Sequence, residues 1–456
     1  MSKRNLILLI IVLVIAGGGF LGYLYLHRPT TNPDGTITST NFFSDFNPFA
    51  PSTPKTTPDQ TTTPTDDLGT TSPSTTTNAS VLQLKKVSSM PVAGFGVFMK
   101  ETFITVPPVV PQPASTDATT GTTTPTATTT KAPVIPTPPA TEFSPAVRYV
   151  ARETGNIYET FADAIEERQF STTVIPKVYE ASFGNSGQSV MMRYLKDDAR
   201  TIETFVGSLP KELLGGDTVG NNQINGSFLP ENITDTSVSP DTTQLFYLFN
   251  TGDDAVGTTA GALGEKRTQV FNSSFTEWLS QWPNSRMVTL TTKPSANVLG
   301  YMYAVDPIKK DFNKVLGGVD GLTTLTSPDG KSVLYSDNNL NLNIYNTDAK
   351  ASTLVGVKTL PEKCVWGSAS DILYCAVPKV ITPALYPDSW YQGEVSFSDS
   401  IWKIDAKSGN TTLLLNPTTV SGGENIDGTK LALDNGENYL FFVNKKDSYL
   451  WELPLK

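Results

Sequence analysis

Short apolar runs of strand length, separated by turn residues, dominate the pattern of hydrophobic and polar positions in residues 142–456. The runs are rich in β-branched and aromatic residues, and Gly, Asn, Asp and Pro fill the gaps between them. Residues 275–282, which precede Pro283, form one short candidate for an amphipathic helix. Many short strands with frequent turn signals predict an all-β sandwich, barrel or propeller.

A turn followed by an apolar strand recurs in this region and decides among the three architectures. Residues 327–335 read SPDGKSVLY, and residues 239–247 read SPDTTQLFY. Pro in the second position followed by Asp favours a tight turn, and the apolar run after it can be buried on both faces, as in stacked blades. The residues of this blade-turn motif are Ser327, Pro328, Asp329, Gly330, Ser239, Pro240 and Asp241.

A second unit, an aromatic strand closed by a glycine turn, occurs at residues 400–409 as SIWKIDAKSG. Together the two units resemble the TolB-type, WD-like β-propeller repeat. Repeats of about 40–50 residues imply six to eight degenerate four-stranded blades, and we expect seven. The layout of the whole chain is similar to that of uncharacterised, N-terminally anchored bacterial envelope proteins, which implies a location and a fold but no chemistry.

The N-terminal segment 6–26 predicts a transmembrane anchor. Its 21 residues carry no charge, and a helix rising about 1.5 Å per residue would cross a hydrocarbon core of about 30 Å. Lys3 and Arg4 precede the segment, whereas only Arg28 closely follows it. The positive-inside rule therefore places the N-terminus in the cytoplasm and the C-terminal domain outside a single-pass cell membrane anchor. A cleaved signal peptide is the alternative, and the remainder is exported in either case.

Composition then divides the chain into five parts. Residues 1–28 hold the cytoplasmic tip and the anchor, and residues 29–80 form a Thr/Pro/Ser-rich stalk that we expect to be disordered. Residues 81–110 regain strand-like content and are expected to join the propeller as a β island. Residues 111–141 return to Thr/Pro repeats as a disordered loop, and residues 142–456 form the propeller.

Charge and the scarcity of His and Cys exclude several functional classes. The chain has 34 Lys and Arg against 44 Asp and Glu, a net charge of −10, so it is not expected to bind nucleic acid. Its one His is His27, beside the anchor, so no His-based triad can form in the propeller. No spacing typical of a metal or nucleotide site occurs. We therefore expect no catalytic residues, no metal and no cofactor, and a protein that is not an enzyme.

A glycoside hydrolase that uses carboxylates alone is the enzymatic alternative. Asp388, near Trp390, and Glu277, beside Trp278, are its least unsuitable candidates.

Cys364 and Cys375 flank a predicted hairpin. Neighbouring strands bring two such residues within bonding distance, and disulfides persist outside the cytoplasm. A structural disulfide is expected, and two buried thiols are the alternative.

The insertion at residues 380–398 is rich in aromatic residues. Loops on a rigid scaffold carry ligand or partner contacts, so Tyr386, Asp388, Trp390 and Tyr391 are candidates for such contacts. The alternative is that these aromatics cap the adjacent blades.

Three hypotheses for function remain open. The first is a membrane-anchored, extracytoplasmic, non-catalytic propeller that serves as a platform for protein interaction or envelope organisation. The second is an envelope module that binds glycan or peptidoglycan, and the third is the carboxylate-based hydrolase. The expected partners are the membrane, through residues 6–26, and either a protein or a cell-wall glycan.

Overall fold

The computed structural model describes most of residues 83–456. The predicted anchor, the predicted stalk and most of the predicted loop 111–141 lie outside the described residues. Within the described part, no helix has the length and apolar character needed to cross a membrane. The described residues are 83–104, 139–162, 164–214, 216 and 222–456.

Seven four-stranded antiparallel sheets make up the described chain, which confirms the prediction of an all-β, seven-bladed propeller. In each blade the first strand is innermost, because first strands of neighbouring blades contact one another, as Asp235 and Ser280 do. We call the end that carries the turns between second and third strands, and the links between blades, the upper end. The lower end carries the turns between first and second strands.

The first three blades follow one another directly in the chain. Blade 1 comprises β2 (Val92–Phe103), β3 (Thr141–Ala151), β4 (Ile157–Phe161) and β5 (Arg168–Gln169). Blade 2 comprises β6 (Val178–Gly184), β7 (Ser189–Leu195), β8 (Ile202–Ser208) and β9 (Asn225–Phe228). Blade 3 comprises β10 (Ile233–Val238), β11 (Gln244–Thr251), β12 (Asp254–Gly261) and β13 (Thr268–Ser273).

The next three blades repeat the same up-and-down order. Blade 4 comprises β14 (Trp278–Asn284), β15 (Met287–Thr292), β16 (Leu299–Val305) and β17 (Phe312–Asp320). Blade 5 comprises β18 (Thr323–Thr326), β19 (Ser332–Ser336), β20 (Asn341–Asn346) and β21 (Ala351–Lys358). Blade 6 comprises β22 (Cys364–Trp366), β23 (Ile372–Pro378), β24 (Asp399–Asp405) and β25 (Thr411–Leu415).

Blade 7 closes the ring with a strand from the other end of the chain. Its outermost strand, β1, pairs antiparallel with β28. The next strand along the chain, β2, is the innermost strand of blade 1, so one segment takes part in both the last and the first blade. The strands of blade 7 are β26 (Gly428–Leu433), β27 (Tyr439–Asn444), β28 (Leu450–Pro454) and β1 (Lys85–Lys86).

Each pair of neighbouring blades shares its own hydrophobic cluster, and strand alternation explains how. In β27, Leu440 and Phe442 pack towards blade 6, whereas Phe441 and Val443 pack towards blade 1. Side chains alternate between the two faces of a strand, and both faces of a blade are covered here. A continuous apolar run, rather than an alternating one, is therefore the signature of these second strands.

The blade-turn motif forms a closed hydrogen-bond pattern at the lower end of blades 3 and 5. The Ser327 hydroxyl donates to Asp329 Oδ1 at 2.6 Å, and Asp329 Oδ1 accepts from the Lys331 N–H at 3.0 Å. Gly330, with φ +75°, completes the turn after Pro328. The equivalent residues Ser239, Pro240 and Asp241 repeat the pattern, with the Ser239 hydroxyl 2.5 Å from Asp241 Oδ1. These residues terminate the first strands of their blades.

The expected helix at 275–282 is wrong, because residues 278–284 form β14. Trp278 and Trp282 pack against blade 3 on one face, and a spacing of four residues fits both a helical face and a strand face. Pro283 lies within β14, which is tolerated because β14 is the inner edge of its sheet.

Cys364 and Cys375 lie directly opposite each other in β22 and β23. They are joined by a disulfide bond, with their Cα atoms 4.1 Å apart. The pair is buried in the cluster between blades 5 and 6.

Candidate functional site

The 379–398 insertion folds as a cap on the upper end. Its short helix α1 (Asp388–Tyr391) is anchored on both sides. Asp388 Oδ2 accepts the Ala296 N–H of blade 4 at 2.6 Å, and Lys445 Nζ of blade 7 donates to the Trp390 carbonyl at 2.8 Å. The cap therefore joins the upper ends of blades 4 to 7 and leaves those of blades 1 to 3 uncovered by it.

Two of the four predicted contact residues are used for packing. Tyr386 and Trp390 are each 3% exposed and form the core of the cap with Phe397. The Asp388 carboxylate is engaged by the Ala296 N–H. Tyr391, at 37% exposed, is the one that keeps a solvent-facing ring. Burial of the apolar rings stabilises the cap, which is the alternative that the sequence left open.

A cavity of about 500 Å³ opens on the upper end of blade 1, away from the cap. Met90 and Pro91, from the link between β1 and β2, form one wall. Tyr158 and Tyr179 provide aromatic surface from β4 and β6. The cavity is also lined by Ala151, Arg152, Glu153, Thr154 and Lys177.

Backbone hydrogen bonds fix the charged rim of this cavity. The Arg152 N–H donates to the Pro91 carbonyl at 2.9 Å, and the Lys177 N–H donates to the Glu153 carbonyl at 3.1 Å. Gly155 makes this arrangement possible, since it adopts φ +71° and an added Cβ would lie 2.3 Å from the Ile175 carbonyl oxygen. The turn of blade 1 and the link to blade 2 are thus held together as one rigid rim.

A ring of polar side chains lies beside the cavity, at the upper mouth of the central channel. Glu180, Asp235, Ser280 and Lys430 are each the third residue of a first strand, so they stand at the same level in different blades. We call these four residues the mouth ring.

Positive charge prevails where the mouth ring meets the cavity. Lys430 Nζ donates to the Ala93 carbonyl at 2.9 Å. Burial lowers the pKa of Lys430. The negative charge of Glu180 acts in the opposite direction, and the positive charges of Arg152 and Arg193 lower the pKa further. Arg193 is paired with Glu180 at 2.5 Å, which leaves Lys430 and Arg152 without a carboxylate of their own among the described contacts.

Tyr179 connects the cavity to these charges. The Arg193 guanidinium lies 5.4 Å from the centre of the Tyr179 ring. The Tyr179 hydroxyl is buried and has no hydrogen-bond partner within the described part of the chain. Burial raises the pKa of Tyr179, so the hydroxyl stays protonated and can donate. An unpaired buried hydroxyl at the cavity wall is a donor that a ligand could satisfy.

Asp235 gives the mouth ring a pH dependence. Burial raises the pKa of Asp235 from 3.8 to about 6, against hydrogen bonds from the Ser280 side chain and N–H. The folded state therefore binds this proton more tightly than the unfolded state, and stability falls as pH rises from about 4 to about 6.

Asp235→Asn should remove that dependence and raise the free energy of unfolding at pH 7 by about 1 kcal/mol, since the half-buried carboxylate keeps some hydration. Denaturant titrations of wild type and variant at pH 4.5 and pH 7 test this. An unchanged pH dependence in the variant would show that another group is responsible.

A second charged cluster lies at the lower end, between blades 1 and 2. Arg148 is 1% exposed and contacts Glu159 at 2.7 Å and Glu212 at 2.9 Å. Lys100 and Arg168 pair with the same two carboxylates. Every charge in this cluster has an opposite partner, so we assign it to holding the two blades together.

The remaining candidates for carboxylate catalysis are engaged in structural contacts. Glu277 pairs with Lys293 at 2.8 Å on the surface, and Asp388 caps the Ala296 N–H as described. Sequence reasoning missed the residues of the upper cavity. Arg152, Lys177 and Lys430 lie in turns or near the start of a strand, and none of them belongs to a recognisable motif. Residue 430 comes near residue 152 only because the ring of blades closes.

Comparison with known proteins finds a distant likeness of fold. No protein family and no curated protein matches the sequence. Among solved structures, the fold is similar to an oligogalacturonate lyase in complex with manganese, with a TM-score of 0.45 and 8% identity over 68% of this chain and 85% of that chain. At this distance the likeness does not carry the activity of that protein to this chain, and the resemblance to the TolB-type repeat stays a prediction from the sequence.

Two sequence-based expectations are affected by this comparison. The expectation that the protein is not an enzyme is contradicted, because the similar fold belongs to a lyase, and we do not retain it. In the described residues, no group of three or more His, Cys, Asp or Glu side chains converges on one point, so the donors present there do not fit a manganese ion.

Proposed function

We propose that this chain is a ligand-binding β-propeller that takes an acidic ligand, such as a segment of an acidic glycan, into the upper cavity. The observation that carries the proposal is the meeting of aromatic walls with cations in one opening. Tyr158 and Tyr179 offer surface for the rings of a ligand, and Arg152 and Lys177 at the rim offer charge for its carboxylates. Lys430 lies close to Arg152 and adds positive charge beside the opening. Ligand sites combine apolar walls with a few placed polar groups in this way.

The charge balance supports an anion over a neutral or cationic ligand. Arg152 and Lys177 line the cavity, and Arg193 and Lys430 lie close to it, against the carboxylates of Glu153, Glu180 and Asp235. The rest of the chain is acidic, with a net charge of −10. A local excess of cations in an acidic protein steers an anionic ligand to one place.

We also propose that the N-terminal segment 6–26 anchors the propeller in the cell membrane and that the propeller lies outside it. The uncharged length of that segment and the Lys and Arg residues before it support this location. The ligand would then be a component of the envelope or the surroundings.

A second candidate function, a platform for a protein partner, is favoured by exposed apolar side chains on the same end. Val298 and Leu299 of blade 4 and Val380 and Leu385 of the cap are all exposed. The bond between Asp388 and Ala296 brings these two segments close together. Exposed apolar side chains grouped on one face are typical of interaction surfaces.

Calorimetric titration of the full-length chain with an oligogalacturonate, whose rings each carry a carboxylate, tests the first proposal. We expect Lys430→Met or Arg152→Gln to weaken binding at least about tenfold, since each removes a charge-assisted contact worth about 1.5 kcal/mol or more. Lys309→Gln, at a lower-end turn, is the matched control and should bind as wild type does. A neutral oligosaccharide of the same length should bind far more weakly.

The same samples report on turnover. Shortened oligosaccharides that appear with wild type and not with Lys430→Met would make the site catalytic. Equal binding of acidic and neutral oligosaccharides, or wild-type affinity in both cavity variants, would contradict the proposal.

A further inference from the structure

A lysine and two aspartates are completely buried together under the cap. Lys363 ends the 3-10 helix Pro361–Lys363 before β22. Its Nζ lies 2.8 Å from Asp399 Oδ2 and 2.5 Å from Asp427 Oδ1. All three side chains are 0% exposed, so no solvent reaches the charges.

The surroundings of this triad are apolar and aromatic. Lys363 Nζ lies 5.2 Å from the ring centres of both Trp390 and Phe397. In such an environment an uncompensated charge is costly. Burial raises the pKa of Asp399, against the effect of Lys363, which favours the protonated acid at that position.

The two aspartates are treated differently by their neighbours. Asp427 accepts hydrogen bonds from Trp390 Nε1 at 3.0 Å, from the Phe397 N–H at 3.0 Å and from the Ser396 hydroxyl at 3.1 Å. Burial would raise the pKa of Asp427, but Lys363 and these donors outweigh it and lower the pKa. Asp427 is therefore held as a carboxylate that can accept a proton.

Asp399 has one bound oxygen and one without a partner. Its Oδ2 accepts the Gly428 N–H at 2.7 Å. Its Oδ1 is buried and makes no hydrogen bond to any described atom. A buried oxygen without a hydrogen bond is costly. If the Asp399 acid became an amide, Oδ1 would be lost and this cost would be removed.

We propose that Lys363 and Asp399 form an intramolecular isopeptide bond, with Asp427 as the proton-transferring base. Nucleophile, acid and base are already within hydrogen-bond distance, and the Gly428 N–H is positioned to stabilise the oxygen on which negative charge develops. The bond would join the start of blade 6 to its third strand, one residue from the Cys364–Cys375 disulfide.

The reaction is balanced without any co-reactant. Asp399 starts as the acid, with its proton on the unpartnered Oδ1, and the Lys363 ammonium passes a proton to Asp427. The neutral Nζ attacks Cγ of Asp399, and the C=O electron pair moves to Oδ2. Asp427 gives its proton to the Oδ1 hydroxyl and takes one from the new C–N centre. One water leaves, the C=O bond re-forms on Oδ2, and Asp427 ends as the acid.

Peptide mapping of the full-length chain, after reduction, alkylation and tryptic digestion, tests the bond. We expect the peptides 359–379 and 380–403 to appear as one branched species, lighter by one water than their sum, with no cleavage after Lys363. The exposed pair Lys86–Glu424, whose atoms are also 2.8 Å apart, is an internal control. Trypsin should cleave after Lys86 as usual.

Two conservative variants separate the bond from a plain buried ion pair. Lys363→Arg keeps the charge and should give the peptides 359–363, 364–379 and 380–403 separately. Asp427→Asn keeps the size and should slow formation of the branched peptide by about 10²-fold, the usual contribution of a general base. Complete cleavage after Lys363 in the wild-type chain, with 359–363, 364–379 and 380–403 at their unlinked masses, would overturn the proposal whether or not either variant folds.

Discussion

Replacing Arg148 with methionine should lower the free energy of unfolding by about 3–5 kcal/mol. The Arg148 guanidinium pairs with Glu159 and Glu212, and it lies 4.7 Å from the Phe98 ring centre and 4.0 Å from the Phe170 ring centre. Burial alone would raise the pKa of Glu159. The positive charges of Arg148 and Lys100 outweigh burial, so the pKa of Glu159 is lowered. Methionine fills the space but leaves two buried carboxylates short of positive charge.

Denaturant titration of the full-length chain measures this loss. Arg200→Met is the matched control, since Arg200 is exposed and should change stability by no more than about 0.5 kcal/mol. If the two variants were equally stable, the lower-end cluster would not hold blades 1 and 2 together.

Replacing Gly94 with valine should cost about 3 kcal/mol or more. Gly94 lies in the inner strand of blade 1, and a Cβ at that position would lie 1.9 Å from the Ala181 carbonyl oxygen of blade 2. Backbone atoms cannot rotate away, so one blade must move from its neighbour. Because Gly94 is next to Ala93, which accepts the Lys430 hydrogen bond, ligand binding should weaken as well.

Gly356→Val is the matched control for this substitution. Gly356 lies in the outer strand of blade 5, and the nearest atom to an added Cβ is Thr411 Oγ1 at 4.0 Å. We expect a change within about 0.5 kcal/mol, measured by the same titration. A Gly94→Val protein as stable as the control would mean that the first two blades are not packed as closely as described.

The blades were predictable because local chemistry sets them. The motif at Ser327–Gly330 closes a turn through its own hydroxyl, carboxylate and proline, and the run Leu440–Val443 is apolar on both faces, so each signal lies within a few residues. The helix expected at 275–282 failed because Trp278 and Trp282 are four residues apart, a spacing that strands and helices share.

The upper cavity could not be predicted in the same way. Arg152 and Lys430 belong to the first and last blades, and they meet only because β1 closes the ring. No pattern within a few residues of the sequence indicates that β1 pairs with β28. The aromatics at 386–391 were a visible signal, but Tyr386 and Trp390 serve the cap, because large rings gain more from burial than from exposure.

Amide hydrogen exchange of the full-length chain, with and without the oligogalacturonate, tests the central claim most directly, since it locates the binding site. We expect added protection at residues 151–156 and 177–180, which include the lining of the upper cavity, and at residues 428–430 beside it. Protection confined to the lower-end turns at 239–243 and 327–331, or no protection at a ligand concentration that saturates the calorimetric signal, would contradict it.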